Sequence, residues 1–124
     1  MIYVAAGVIF SEEGKVLLCS RPVDKPPAGW EFPGGKIEEG ETPGEALERE
    51  LLEELSLAGN SGKELIVVTT PKVELRFMEF FPAPGALIEP REGQLFRWQE
   101  LTESMPEDLL PNDQPVWELL ARKK

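Results

Sequence analysis

The chain contains no histidine and only one cysteine among its 124 residues. The absence of histidine excludes Ser-His and Cys-His nucleophilic schemes and any imidazole metal site, so carboxylates are the general bases available near neutral pH. The one thiol, Cys19, cannot form a disulfide within the chain, and its apolar neighbours predict a buried and inert side chain. Catalysis by this chain would therefore depend on Asp and Glu.

Long apolar runs and an excess of positive charge are missing as well. No stretch approaches the roughly 18 apolar residues of a membrane span, and no basic N-terminal region precedes an apolar one, so we expect a cytoplasmic protein without membrane contact. The formal net charge of −10 argues against binding to duplex nucleic acid, which requires clustered Lys and Arg. The length fits a single domain, residues 1–124, as a monomer or homodimer.

What the chain has in excess is glutamate, concentrated in a segment that predicts a capped helix. Thr42 suits the N-cap, Pro43 suits the first helical position, and Glu45 completes a T-x-x-E capping box. The helix is therefore expected to begin at Pro43.

This helix is predicted to be apolar on one flank and acidic on the other. At about 100° per residue, the flank expected to be buried carries four leucines: Leu47, Leu51, Leu52 and Leu55. The opposite face carries Glu50, Glu53 and Glu54, and like charges at this spacing cost about 0.2–0.5 kcal/mol per pair. A hard cation such as Mg²⁺ would relieve that repulsion, although three glutamates alone also fit a solvated acidic face.

The spacing around these glutamates is more specific than their charge. From Gly35 the sequence reads glycine, five residues, Glu41, seven residues, Arg49-Glu50-Leu51, one residue, Glu53-Glu54, one residue, then Ser56-Leu57. This resembles the Nudix box, G-x5-E-x7-R-E-U-x-E-E-x-G-U with U apolar, at every defined position except Ser56, which replaces glycine. That position follows the helix and favours φ > 0, so Ser56 is predicted to be left-handed.

The resemblance extends to the MutT-type branch of the Nudix family through two flanking motifs, W-E-F-P-G-G-K at residues 30–36 and R-E-G-Q at residues 91–94. It implies an α/β domain of the Nudix fold, a mixed β-sheet between helices, with the box helix below the active site. The implied activity is a Mg²⁺-dependent pyrophosphohydrolase, with Mn²⁺ able to substitute, that converts a nucleoside triphosphate to the monophosphate and pyrophosphate.

The resemblance also implies roles for individual residues. The implied metal ligands are the carbonyl of Gly34 and the carboxylates of Glu50, Glu53, Glu54 and Glu92. Either Glu50 or Glu53 would take the proton of the attacking water, Arg49 would orient the helix glutamates, and Glu41 completes the catalytic set. The residues implied for substrate binding are Arg21, Glu31, Phe32, Lys36, Asn112 and Asp113.

Within that set, Asp113 would read the base edge with Asn112 beside it, and Lys36 would meet phosphate. Phe32 would line the base pocket, or else pack in the core. Asp113 and Asn112 each also suit the N-cap of a final helix.

Of the possible substrates, we expect 8-oxo-dGTP first and CTP-like triphosphates second. A dinucleoside polyphosphate, a nucleotide sugar, a silent nucleotide sensor of the same fold and an acidic interaction domain are the alternatives.

The remaining segments predict five strands, a helical turn and a second helix. Residues 2–10 and 15–20 are expected to form a hairpin, and residues 22–29 and 58–62 are expected to be loops. Residues 64–70, 72–81 and 94–99 predict further strands, and residues 100–105 a short helical turn. The last helix is expected to begin at Asn112 or Asp113, end near Arg122, and bury Val116, Leu119 and Leu120.

Overall fold

The computed structural model describes residues 1–21, 24 and 28–123 of the chain. Within these residues the elements are β1 (Ile2–Val8), β2 (Val16–Ser20), β3 (Trp30–Glu31), β4 (Gly34–Lys36), α1 (Pro43–Leu55), β5 (Gly59–Thr69), β6 (Val73–Pro82), β7 (Phe96–Gln99) and α2 (Gln114–Lys123). A 3₁₀ turn at Pro111–Asp113 precedes α2. The predicted loop at residues 22–29 lies mostly outside the described residues, as does Lys124.

The strands form two sheets. A four-stranded sheet has the order β4-β1-β6-β5, in which β1 and β6 are parallel and the other pairs are antiparallel. A three-stranded antiparallel sheet has the order β3-β2-β7. The predicted mixed α/β fold is confirmed, and none of the helices described is long and apolar enough to cross a membrane.

The predicted hairpin of the first two strands is wrong, although both strands and the turn between them exist. They meet only beside the turn, where Phe10 and Val16 form a single bridge. Strand β1 already pairs with β4 on one edge and β6 on the other, so neither edge is free for β2. Strand β2 therefore belongs to the second sheet.

Two core clusters explain why the first strand is apolar on both faces. Ala6 and Val8 point into a cluster that also contains Phe32, Phe77 and residues of α2. Ala5 and Ile9, on the opposite side, pack with the leucines of α1. A strand buried on both faces loses the alternation of polar and apolar residues that a half-buried strand shows.

Helix α1 buries three of its four predicted leucines. Leu47, Leu51 and Leu55 are fully buried, whereas Leu52 is 53% exposed, so its predicted burial is wrong. Glu48 fixes the helix to β5, because its carboxylate accepts hydrogen bonds from the N–H and O–H groups of Ser61 at 2.8 and 3.0 Å.

The predicted loop at residues 58–62 is mostly strand, because β5 begins at Gly59. A Cβ at Gly59 would lie 2.4 Å from the carbonyl oxygen of Phe81, and one at Gly62 would lie 2.6 Å from the Phe81 ring. These glycines therefore permit close strand pairing here. The pairing is irregular, with register shifts on either side of Glu64.

Three expectations for the C-terminal segment are corrected. Residues 100–105 form no helical turn, since the carbonyl of Thr102 accepts the indole N–H of Trp117 and the Thr102 hydroxyl donates to Ser104. The last helix begins at Gln114, and Val116, Trp117 and Leu120 are its buried residues. Leu119, predicted to be buried, is only half-buried.

Candidate active site

The box segment folds as its local pattern predicts. The Thr42 side chain accepts the backbone N–H of Glu45, and the Glu45 carboxylate accepts that of Thr42, so the capping box is complete. Ser56 ends the helix with φ 56° and ψ 24°, and it is the one non-glycine residue with positive φ in the described part of the chain. The predicted left-handed conformation of Ser56 is confirmed.

Arg49 connects the acidic loop to the acidic face of α1. Its Nε donates to Glu41 at 2.7 Å, its Nη1 donates to Glu50 at 2.9 Å and to Glu53 at 3.2 Å. Its Nη2 also donates to Glu41 and to the backbone carbonyl of Lys36, at 2.9 and 3.0 Å. One guanidinium thus holds three carboxylates and the end of β4 in a fixed arrangement.

Glu41 is the most strongly acidified carboxyl of the site. Hydrogen bonds from the Arg49 guanidinium, with a further one from the backbone N–H of Glu38, lower the pKa of Glu41 to about 2. Because Glu41 is ionised at neutral pH, it serves as a permanent acceptor that anchors Arg49. It is therefore ill suited to act as a proton acceptor in catalysis.

A second group of carboxylates lies towards the end of the helix. The pKa of Glu54 is raised to about 8, and burial is the largest cause. The charges of Glu50 and Glu92, a hydrogen bond shared with Glu50 and the charge of Glu31 raise it further, in that order. Burial also raises the pKa of the Cys19 thiol to about 12, with smaller effects from Glu54 and Glu31. The predicted burial of Cys19 is confirmed. Residues from α1, β2, β3 and the loop before β7 therefore meet here.

The diglycine that begins strand β4, Gly34-Gly35, lies directly beside this group. A Cβ at Gly35 would lie 2.3 Å from the carboxylate of Glu50, and one at Gly34 would lie 2.0 Å from the carbonyl oxygen of Ala5 in β1. Glycines at these positions let other groups approach the backbone closely. The structure shows what they already accommodate, a carboxylate at Gly35 and a neighbouring strand at Gly34.

The loop that carries Glu92 is attached to the end of α1. The backbone N–H groups of Glu89 and Arg91 donate to the carbonyls of Leu55 and Glu54 at 2.8 and 2.9 Å. Gln94 is 8% exposed, accepts the N–H of Glu92 at 2.9 Å and reaches the Glu54 carbonyl at 3.4 Å. Sequence reasoning assigned no role to Gln94, although the R-E-G-Q motif contains it.

The donor chemistry of this group fits a hard divalent cation. In their present rotamers, no three acidic or cysteine side chains of the described residues enclose a common point closely enough to hold an ion. Glu53 is turned to Arg49 with 58% of its side chain exposed, and Glu92 is also exposed, so both can reorient. Glu50 and Glu54 are the fixed pair around which an oxygen-ligand site can form.

The residues predicted to bind substrate range from exposed through half-buried, as Arg21 and Glu31 are, to buried. Arg21 lies just after β2 and pairs with Glu31 at 3.5 Å, and burial raises the pKa of Glu31 against the lowering effect of Arg21. Lys36 and Asn112 are exposed. Phe32 is 2% exposed and packs edge-on against Phe77, with ring centroids 6.1 Å apart, so its ring lies in the core.

Asp113 is buried against the W-E-F-P segment. Its carboxylate accepts the backbone N–H of Phe32 at 2.7 Å, and its side chain is 4% exposed. Burial is the main cause that raises the pKa of Asp113 to about 7, with a smaller raising effect from Glu31 and a lowering effect from the Phe32 hydrogen bond. The expected N-cap is replaced by a bond between residues far apart in the chain.

Comparisons with known proteins identify the family of this chain. A NUDIX domain model matches residues 1–120. A CTP pyrophosphohydrolase of Escherichia coli (strain K12) is 35% identical over 123 residues, covering 95% of this chain and 90% of that protein. An 8-oxo-dGTP diphosphatase of the same strain is 32% identical over 130 residues, covering 98% and 97%.

A solved structure leads to the same family. A MutT structure, from a study of the Aliivibrio salmonicida and Vibrio cholerae proteins, has a TM-score of 0.82 at 28% identity and covers 99% of this chain and 98% of that one. The family model spans nearly the whole sequence. The two relatives described above are named as a pyrophosphohydrolase and a diphosphatase, and both are hydrolases. By sequence, fold and site, the chain belongs to the Nudix family.

Proposed function

We propose that this chain, as a single domain, is a divalent-metal-dependent nucleoside triphosphate pyrophosphohydrolase with 8-oxo-dGTP as its preferred substrate. The observation that carries the proposal is the intact box geometry: Glu50 lies against Gly35 with Glu54 and Glu92 nearby, and Arg49 bonds to Glu50, Glu53 and Glu41. Products would be the nucleoside monophosphate and pyrophosphate.

The metal ligands in this proposal come from two elements and one loop. Nudix hydrolases generally use divalent metal cations, and Mg²⁺ or Mn²⁺ suits the oxygen donors present. The ligands would be the carbonyl of Gly34 and the carboxylates of Glu50, Glu53, Glu54 and Glu92. When bound, the ion supplies charge neutralisation for the phosphates and acidifies a water molecule.

The remaining box residues would hold the reacting groups in position. Glu50 or Glu53 takes the proton of the attacking water, and Arg49 orients both carboxylates through the hydrogen bonds described above. Glu41 acts through Arg49 as a positioning residue. Lys36, exposed at the end of β4, is free to reach a phosphate oxygen.

Discrimination among bases is assigned to Asp113. A carboxyl group with a pKa near neutrality can donate when protonated and accept when ionised, which matches a base edge that carries both donors and acceptors. Glu31 is near enough to Asp113 to raise its pKa, Arg21 pairs with Glu31, and Asn112 precedes Asp113 in the chain. The relative named 8-oxo-dGTP diphosphatase supports this substrate, and the one named CTP pyrophosphohydrolase supports CTP as the second candidate.

The deciding experiment measures pyrophosphate and monophosphate release from a panel of normal and oxidised dNTPs and NTPs. We expect no hydrolysis in EDTA, recovery with Mg²⁺ or Mn²⁺, and the highest kcat/KM with 8-oxo-dGTP. The panel includes a dinucleoside polyphosphate, a nucleotide sugar and CTP. A higher kcat/KM for any of these would replace the preferred substrate, and binding of nucleotide without any turnover would identify a sensor.

The same panel tests the role of Asp113. Asp113→Ala should lower the ratio of kcat/KM between the best and the poorest base by at least about 10-fold, since an unpaired buried group no longer rejects the wrong base. Asn112→Ala is the matched control and should change the ratio less. An unchanged profile in Asp113→Ala would show that the base is recognised elsewhere.

A further inference from the structure

Ser56 makes a contact that the glycine usual at this box position cannot make. Its hydroxyl oxygen accepts a hydrogen bond from Nε of Arg91. The φ of 56° at Ser56 costs a residue with a Cβ roughly 1 kcal/mol relative to glycine. The chain thus has a side chain at position 56, where the backbone conformation favours glycine.

Arg91 directly precedes Glu92, whose carboxylate approaches α1 from a loop outside the box. Besides the Ser56 contact, its backbone N–H donates to the carbonyl of Glu54, so Arg91 is attached to two residues at the end of α1. The backbone N–H of its neighbour Glu92 donates to Gln94, which also reaches the Glu54 carbonyl. The Glu92 carboxylate is near enough to that of Glu54 to act on it electrostatically.

We propose that the Ser56–Arg91 hydrogen bond is a clip that positions Glu92 against Glu54 and thereby sets the affinity of the site for a divalent ion. This inference rests on the proposed function, in which both carboxylates bind the ion. Arg91 and Glu92 are exposed, so burial does not hold them in place and the hydrogen bond to Ser56 supports the loop. Ser56 and Arg91 are positioning residues and supply no ligand.

The test is a Mn²⁺ titration of the metal-free protein without nucleotide, followed by electron paramagnetic resonance, together with thermal unfolding of each variant. Ser56→Ala removes the hydroxyl and keeps the unfavourable φ, Ser56→Gly removes both, and Arg91→Met removes the donor without supplying another N–H group. Arg76→Met is the matched control. This variant removes the same positive charge from an arginine that pairs with Glu64 and Glu74 on the four-stranded sheet.

We expect Ser56→Ala and Arg91→Met each to raise the Kd for Mn²⁺ about 5- to 10-fold, at the lower end of effects for groups that orient metal ligands. The double variant should be no weaker than either single one. Ser56→Gly should weaken Mn²⁺ binding equally and yet raise the unfolding midpoint, because the unfavourable φ is relieved. A purely structural role cannot move affinity and stability in opposite directions.

Two results would overturn the clip, and they are distinguishable. If Glu54→Gln weakens Mn²⁺ binding strongly but the Ser56 and Arg91 variants match the control, the metal site stands and the clip is wrong. If Glu54→Gln and Glu92→Gln both bind Mn²⁺ as the parent protein does, the proposed metal site is itself wrong, and the clip has no function to serve.

Discussion

The most informative single residue outside the box is Asp113, a buried acid in a chain without histidine. One carboxylate oxygen of Asp113 accepts the backbone N–H of Phe32. This bond holds the 3₁₀ turn before α2 against the segment that leads to Gly34 and Gly35. Burial raises the pKa of Asp113 to about 7. Between about pH 4 and pH 7, the folded protein therefore binds a proton at Asp113 more tightly than the unfolded chain does. Stability is therefore lost as the pH rises through that window.

Asp113→Asn should remove this loss, because the amide oxygen can still accept the Phe32 N–H and the side chain carries no charge. The stability advantage of the variant over the parent protein should grow by roughly 2 to 3 kcal/mol from pH 5 to pH 8. Urea unfolding of both proteins at the two pH values measures it. A difference that stays constant with pH would mean that Asp113 titrates normally in the folded state.

At the residue scale, local rules were sufficient where the contacts are local. The capping box at Thr42 and the left-handed Ser56 were predicted because each involves neighbours in the sequence. The bond from Phe32 to Asp113 spans 81 positions, and no local pattern encodes it. For the same reason sequence reasoning left the ring of Phe32 open to either a base pocket or the core.

Among the elements, the short strand β4 determines how the helix carboxylates sit, and its two glycines make a matched pair. At Gly34 an added Cβ would collide with the backbone of β1, which cannot move without breaking the sheet. At Gly35 it would collide with the far end of the Glu50 side chain, which can turn away. The two substitutions should therefore fail in different ways.

Gly34→Ala should destabilise the fold by about 3 kcal/mol or more, as overpacking against rigid backbone does. Gly35→Ala should lose only about 1 kcal/mol, yet weaken Mn²⁺ binding and activity by about 10-fold or more because Glu50 is displaced. Urea unfolding and Mn²⁺ titration of both variants separate the effects. Equal losses of stability with unchanged metal binding in Gly35→Ala would mean that Glu50 is not a ligand.

The elements themselves were predicted better than their partners. Strands β1 and β2 were located from their apolar runs, but which edge pairs with which depends on β4 and β6, and the sequence does not encode that choice locally. The sequence predicted strand β5 only from residue 64, with residues 58–62, which include Gly59 and Gly62, as a loop. These glycines serve instead to admit the residues of β6.

For the whole molecule, a net charge of −10 and a clustered acidic site predict a fold that a divalent ion stabilises. An ion that binds only the folded state at 100 times its Kd adds about 2.7 kcal/mol to the free energy of unfolding. Mg²⁺ should therefore raise the unfolding midpoint of the parent protein well above that in EDTA. Equal midpoints with and without Mg²⁺ would contradict the proposed site.

The overall architecture and the family were predictable because the box, W-E-F-P-G-G-K and R-E-G-Q motifs together contain many fixed positions. Roles at the site were predictable only as far as residue types allow. The sequence suggested that Arg49 orients carboxylates, but its attachment to Glu41 and to the Lys36 carbonyl became evident only in the folded chain.

The central claim is that the acidic face of α1 performs catalysis, and the most direct measurement is kcat for Glu50→Gln and Glu53→Gln with saturating Mg²⁺ and 8-oxo-dGTP. Glu48→Gln is the control, since Glu48 lies on the same helix but bonds to Ser61 of β5. We predict that Glu53→Gln loses at least about 100-fold in kcat, in the range for removal of a general base, while Glu48→Gln stays near the parent rate. Turnover near the parent rate by both Glu50→Gln and Glu53→Gln would contradict the claim.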